Sequence, residues 1–183
     1  MYRMAILTML APSSLSSRLD IPRCTKMALV HDMAELLVGD ITPVDGVLKS
    51  EKSRREGATM DYLCRDLLGM VEGGIRGEEL RSVWQEYEDG VTEESKFVHD
   101  VDKMELVLQM VEYEKQGEGW IDLGEFLRVA VRIQLEEVKQ WCREVLMERA
   151  DFWNGLPHVP IGIRPMEDLK NQTDDALTNG YQD

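Results

Sequence analysis

The sequence is poor in several things at once, and each scarcity closes a door. Three cysteines, Cys24, Cys64 and Cys142, lie far apart with no C-x-x-C spacing, so neither a disulfide framework nor a zinc knuckle is available and a reducing compartment is implied. Three histidines are too few for a zinc site built from local His motifs alone. Basic residues are outnumbered, 21 Lys+Arg against 35 Asp+Glu for a net charge of −14, and no basic patch stands out; nucleic-acid backbones and anionic membrane surfaces are therefore repelled. No run approaches the roughly 18 apolar residues of a membrane span. Glycines near Gly39 and Gly73-Gly74 form no P-loop or dinucleotide fingerprint, and no serine nucleophile elbow is present. Alternating strand patterns and internal repeats are absent too.

What remains is helical. A chain of 183 residues with 43% hydrophobic and 31% charged residues suits one well-buried domain, and few aromatics beside eleven methionines suggest an aliphatic core patched with Met. The three-to-four apolar spacing predicts helices over 1–10, 24–38, 50–70, 78–87, 93–115 and 126–148. A polar loop is expected over 12–17, and the 24–38 helix is broken by Gly39, Asp40 and Pro43. Beyond 152, Gly, Pro, Asn and Asp dominate without an apolar face, which predicts a weakly ordered C-terminal tail. The expected organisation is an all-α helical bundle over 1–150 and a polar tail over 151–183.

The chemistry concentrates in the 24–38 segment. His31, Asp32 and Glu35 are spaced so that on one helix they project over a single face. A lone His there would be an ordinary core residue, but a carboxylate beside it needs a partner or a metal ion, and residues 30–38 offer no Lys or Arg. Asp40 follows in the next loop. A more distant acid could complete the set; His99-Asp100 and Asp102 compete for that role on the residues alone.

The run Met27-Ala28-Leu29-Val30-His31-Asp32-Met33-Ala34-Glu35 with Val38-Gly39-Asp40-Ile41, then Trp84-Gln85-Glu86-Tyr87-Glu88, Lys96-Phe97-Val98, Asp102-Lys103-Met104-Glu105 and Glu112-Tyr113-Glu114 resembles the HD-domain metal-dependent phosphohydrolases, and within them the 5'-deoxynucleotidases. The resemblance covers about residues 1–115. It implies an HD-domain all-α fold and a His…His-Asp…Asp metal site whose last three ligands are His31, Asp32 and Asp102, and it favours Asp102 over Asp100. It also implies that the family's first His would lie just before the stretch Tyr2-Arg3-Met4-Ala5, so the chain reads as lacking its N-terminal helix. Glu35 would orient or deprotonate the attacking water, and Asp40 would bind the sugar 3'-hydroxyl of a deoxyribonucleoside 5'-monophosphate. The metal, Mn or Co with Zn, Fe or Mg also compatible with mixed N/O ligation, would polarise the phosphate and acidify the water. A cytoplasmic protein rather than a mitochondrial or secreted one, and a homodimer, complete the expectation. The competing reading is a catalytically impaired HD protein acting as a nucleotide-binding or dimerising module.

Overall fold

The computed structural model describes residues 1–42, 45–158 and 160–162. Every regular element among them is a helix: α1 Tyr2–Met9, α2 Ser13–Ser16, α3 Ile21–Val30, α4 Glu35–Val38, α5 Lys49–Asp61, a π-helical turn Tyr62–Leu67, a 3₁₀ turn Val71–Gly74, α6 Ile75–Asp89, α7 Glu93–Gln116, a 3₁₀ stretch Gly124–Arg132 and α8 Glu136–Asn154. The all-α expectation holds. None of these helices is long and apolar enough to cross a membrane. The chain divides into two compact units, Met1–His99 and Asp100–Asp183, with the boundary inside α7.

In the first unit, α3 is the centre. Asp20 caps it, accepting the Arg23 N–H at 3.0 Å, and Pro22 stands in the first turn where a missing N–H costs nothing. Cys24, Met27, Ala28 and His31 then recur at helical spacing and are all buried, the stripe of a core helix. Against it α1 packs Met4, Ala5 and Thr8, and the Thr8 and Thr25 hydroxyls share a hydrogen bond at 3.0 Å. On another side α6 is tied to α3 by the ion pairs Arg23–Glu86 and Lys26–Glu79. Gly77 lets α6 lie against the π turn: a Cβ there would sit 1.9 Å from the Cys64 carbonyl oxygen.

In the second unit, Val101, Met104, Val107, Met110 and Val111 of α7 are buried, as are Val138, Cys142 and Trp153 of α8. α8 starts where it does because the buried Asp100 carboxylate accepts the N–H groups of Gln134 and Leu135 at 2.8 and 2.7 Å. A further carboxylate, Glu114, receives both Arg149 Nε and Nη2, the Trp153 indole N–H and the Leu123 N–H at 2.7–3.0 Å.

Several expectations change: the 50–70 helix ends at Asp61 and gives way to the π-helical turn. Residues 13–16 form a helical turn rather than loop. The segment 24–38 is two helices, not one, with the break at residues 31–34. The expected 126–148 helix is a 3₁₀ stretch, a break at 133–135 and then α8, because Asp100 takes the backbone donors that a continuous helix would spend internally. The tail expected over 151–183 begins later: residues 151–154 still belong to α8, with Trp153 buried; the Pro43 break and residues 163–183 of that expectation lie outside the described residues.

Candidate metal and phosphohydrolase site

The site grows out of the end of α3. His31 is the C-cap residue, and from there the ladder tightens from i−4 to i−3 bonding: Met33 N–H reaches the Val30 carbonyl and Glu35 N–H the Asp32 carbonyl, each at 3.0 Å, before the short α4 resumes. At three residues per turn, side chains three apart eclipse, which puts Asp32 and Glu35 one above the other. Asp32 and Glu35 are thus brought together by a 3₁₀-like turn, where the sequence spacing predicts His31, Asp32 and Glu35 on one face of a continuous helix.

His31 is buried, its side chain 2% exposed, while Asp32 is 41% exposed. The carboxylate is thus half in solvent rather than buried as its apolar flanks suggested. His31 Nδ1 lies 3.1 Å from the Ala28 carbonyl oxygen, which can only accept, so Nδ1 carries the proton. Nε2 then faces Asp32 Oδ2 at 3.0 Å. A bare lone pair cannot face a carboxylate oxygen at that distance; a positive charge belongs between or on them, either a proton on Nε2 or a metal ion shared by both. Imidazole nitrogen plus carboxylate oxygen, with the other ring nitrogen donating to a backbone carbonyl, is the donor chemistry of a mixed-ligand divalent-metal site. The residues present fit such an ion.

The electrostatics around the pair divide two carboxyls. Burial works to raise Asp32, but the hydrogen bond and charge of His31 outweigh it and hold the carboxyl below its ordinary value. Glu35 goes the other way, pushed up to about 7 by burial, by Asp32 and by Asp40. Glu88 is also raised, first by burial and then by Glu56. Lys52 opposes the rise at Glu35 and Glu88 and adds to the lowering of Asp32. Its ammonium donates to the Ile41 carbonyl at 3.0 Å and lies 3.6 Å from Glu56. Asp40, in the loop that carries Ile41, is exposed after Gly39, whose φ of 76° turns the chain out of α4.

The structure thus brings His31, Asp32, Glu35 and, through its charge, Asp40 into one neighbourhood of the first unit. Asp102 belongs to the second unit, where it is half-buried on α7. Asp100 is buried with both oxygens engaged, one by Gln134 and Leu135 and the other by Lys103 at 3.2 Å. Among the described residues no group of three or more His, Cys, Asp or Glu side chains is arranged as a complete metal cage. Lys52, Trp84 and Tyr87 were not singled out by residue chemistry. Trp84 and Tyr87 stand in the sequence only within the run 84–88 that carries the resemblance, three residues apart on what proves to be the buried face of α6.

A model of the HD domain matches residues 1–141. The chain belongs to the HD-domain family. It is similar to 5'-deoxynucleotidase hdd1 of Schizosaccharomyces pombe, 44% identical over 153 residues that are 84% of this chain and 75% of that one. It is 40% identical to 5'-deoxynucleotidase YGK1 of Saccharomyces cerevisiae over 85% of this chain and 71% of that protein. With 5'-deoxynucleotidase HDDC2 of Homo sapiens it shares 43% identity over 62% of this chain and 52% of the relative, so this HD-domain chain spans about half the vertebrate protein it matches. Among solved structures, HD domain-containing protein YGK1 superimposes with a TM-score of 0.67 at 35% identity, covering 84% of this chain and 76% of that one.

Proposed function

We propose that this HD-domain chain serves a metal-dependent 5'-deoxynucleotidase, hydrolysing deoxyribonucleoside 5'-monophosphates to a deoxynucleoside and phosphate. The observation that carries the reading is the His31 Nε2–Asp32 Oδ2 approach at 3.0 Å beside a Glu35 carboxyl raised to about 7. Relatives named as 5'-deoxynucleotidases supply the substrate class.

In this reading His31, Asp32 and Asp102 hold a divalent ion, Mn or Co by family resemblance. When bound, that ion polarises the phosphate and makes water a better nucleophile at neutral pH. The family resemblance assigns the α7 ligand to Asp102 rather than to Asp100, whose two oxygens are committed to α8 and Lys103. A carboxyl poised near 7 is half-ionised at neutral pH, so Glu35 can take a proton from water and return it to the leaving 5'-oxygen. Asp40 follows Gly39 on an exposed loop close enough to Glu35 to be felt by its carboxyl; it would accept the sugar 3'-hydroxyl proton in a hydrogen bond, and its crowding of a 2'-hydroxyl would disfavour ribonucleotides. Lys52 lies among these carboxylates with its side chain 34% exposed and can offset part of the repulsion a dianionic phosphate meets there. A cytoplasmic location and homodimeric assembly belong to the same proposal.

A second reading, a nucleotide-binding or dimerising module with impaired turnover, is favoured by one observation: no complete three-donor cage among the described residues. The experiment that separates the two is phosphate release from deoxyadenosine and thymidine 5'-monophosphates with Mn or Co, for the chain and its Glu35→Ala variant, beside a metal titration. Metal-dependent release that disappears in Glu35→Ala supports the nucleotidase. Metal or nucleotide binding without release supports the module.

A further inference from the structure

α6 grips His31 at two points. The Trp84 indole Nε1–H donates to the His31 carbonyl oxygen at 3.1 Å, and the Trp84 side chain is buried. Three residues on, the Tyr87 ring packs against the His31 imidazole with centroids 4.9 Å apart and planes tilted by 57°. Tyr87 in turn rests on His99, 4.0 Å between centroids, while the Tyr87 carbonyl is paired with His99 Nε2 at 3.0 Å. Behind Trp84, the Arg81 guanidinium stands 4.8 Å from the indole ring and is itself held by Asp61.

The backbone explains why this grip matters. In an unbroken α-helix the His31 carbonyl would receive the Glu35 N–H; here that N–H is spent on the Asp32 carbonyl instead. A buried carbonyl released from its ladder needs another donor, and the indole supplies it 53 residues away in sequence. The exchange of one helical bond for one indole bond is what permits the tightened turn that eclipses Asp32 with Glu35.

We propose that Trp84, seconded by Tyr87, is the positioning residue that fixes the His31–Asp32 pair for metal ligation, by holding the His31 carbonyl outside the helix ladder and its ring against α6. The proposal rests on the reading of that pair as a metal site. Partners one step removed from a metal commonly change affinity or activity by roughly 10–100-fold when lost.

The test has a metal-free arm and a metal arm. Trp84→Phe keeps a buried ring and removes the donor. In the metal-free protein, amide exchange at Met33 and Glu35 should speed up relative to wild type while exchange in α7 stays unchanged. In Mn titrations the variant should bind roughly 10–100-fold more weakly, and activity should recover at high Mn with KM for nucleotide unaltered. Arg81→Met, which touches Trp84 but not His31, should leave Mn affinity near wild type. A wild-type measurement guards against a variant that fails to fold: with ¹⁵N-labelled tryptophan, adding diamagnetic Zn should shift the Trp84 indole N–H resonance. Unchanged exchange at 33 and 35, unchanged Mn affinity in Trp84→Phe, or a Zn-bound protein whose indole resonance does not move would each overturn the positioning role. Wild-type protein that binds neither Mn nor Zn would overturn the metal reading and this role with it, whereas exchange alone still reports whether the indole pins the turn.

Discussion

Among the described residues, one cluster of acid and histidine in each unit invites comparison, and the two are built on opposite principles. In the second unit Glu114 is fully buried, yet every oxygen has a donor: Arg149 binds it through two nitrogens, and Trp153 and Leu123 add N–H groups. Asp122 beside it accepts from Gly124, Ile161, His158 and Arg149. In the first unit Asp32, Glu35 and Asp40 push on one another, and Glu35 answers by rising to about 7. A carboxylate that serves the fold is neutralised and surrounded. Carboxylates kept close together and short of cations are strained toward binding one, the pattern expected where chemistry is done.

The comparison breaks most visibly if Arg149 is removed. Arg149→Met leaves the Glu114 carboxyl buried without its cation, and loss of one partner from a buried ion pair costs about 3–5 kcal/mol. Set against a domain stability of about 5–15 kcal/mol, that loss should lower the denaturant midpoint markedly with the m-value unchanged. Adding Glu114→Met should restore only part of it, since the Trp153 and Leu123 donors then lack an acceptor. A small change in the single variant would show that Glu114 is not the structural cluster described.

Asp32→Asn should do the reverse. The side chain is 41% exposed and its charge is offset by one imidazole, so the melting temperature near neutral pH should hardly move. Mn binding and phosphate release should be lost, as measured by titration and by release from thymidine monophosphate. Intact metal content in Asp32→Asn would remove this residue from the site.

How much of this was legible in the sequence follows the range over which each feature is decided. The apolar stripes of α3, α6 and α7 are local, and they emerged correctly. His31, Asp32 and Glu35 were visible as an acid and imidazole group without a nearby cation. The break at residues 31–34 was not visible, because Met33 and Ala34 are good helix residues and the cause is an indole on α6. The start of α8 was misplaced for the same reason, since Asp100 sits 34 residues before the first N–H it accepts. The choice between Asp100 and Asp102 was open on local grounds, and the engagement of Asp100 bears on it only once the fold is known. Trp84 and Tyr87 entered the sequence reading only within the run 84–88 that carries the resemblance, and their contact with His31 needed three dimensions.

A pH series on the metal-free protein sharpens the comparison further. Glu35 is an acid whose folded value, about 7, lies above its ordinary 4.5. Its proton is therefore held more tightly in the folded chain, and stability is lost as pH rises from 4.5 towards 7, then levels off. Glu35→Gln removes the charge and the loss. The stability of the variant relative to wild type should be level below 4.5, grow in the variant's favour up to about 7 and remain constant above it. A difference that stays flat over this interval would place Glu35 among ordinary solvated acids.

The smallest expected effect belongs to Lys52, whose ammonium lowers Asp32, Glu35 and Glu88 together while bonded to the Ile41 carbonyl. Lys52→Met removes one positive charge from a partly exposed cluster, where a single charge pair is worth about 0.2–1 kcal/mol, or less than about one unit of pKa. The pH at which the Glu35→Gln difference levels off should therefore move upward when the pair of variants is compared in the Lys52→Met background. Mn should bind no more weakly at high pH, because a cation has been removed from beside the ligands, whereas the KM for a nucleotide monophosphate should rise. If the levelling point stays put and Mn affinity falls instead, Lys52 holds the Ile41 loop in place rather than acting through its charge, and the cluster in the first unit is closer in kind to the one around Glu114.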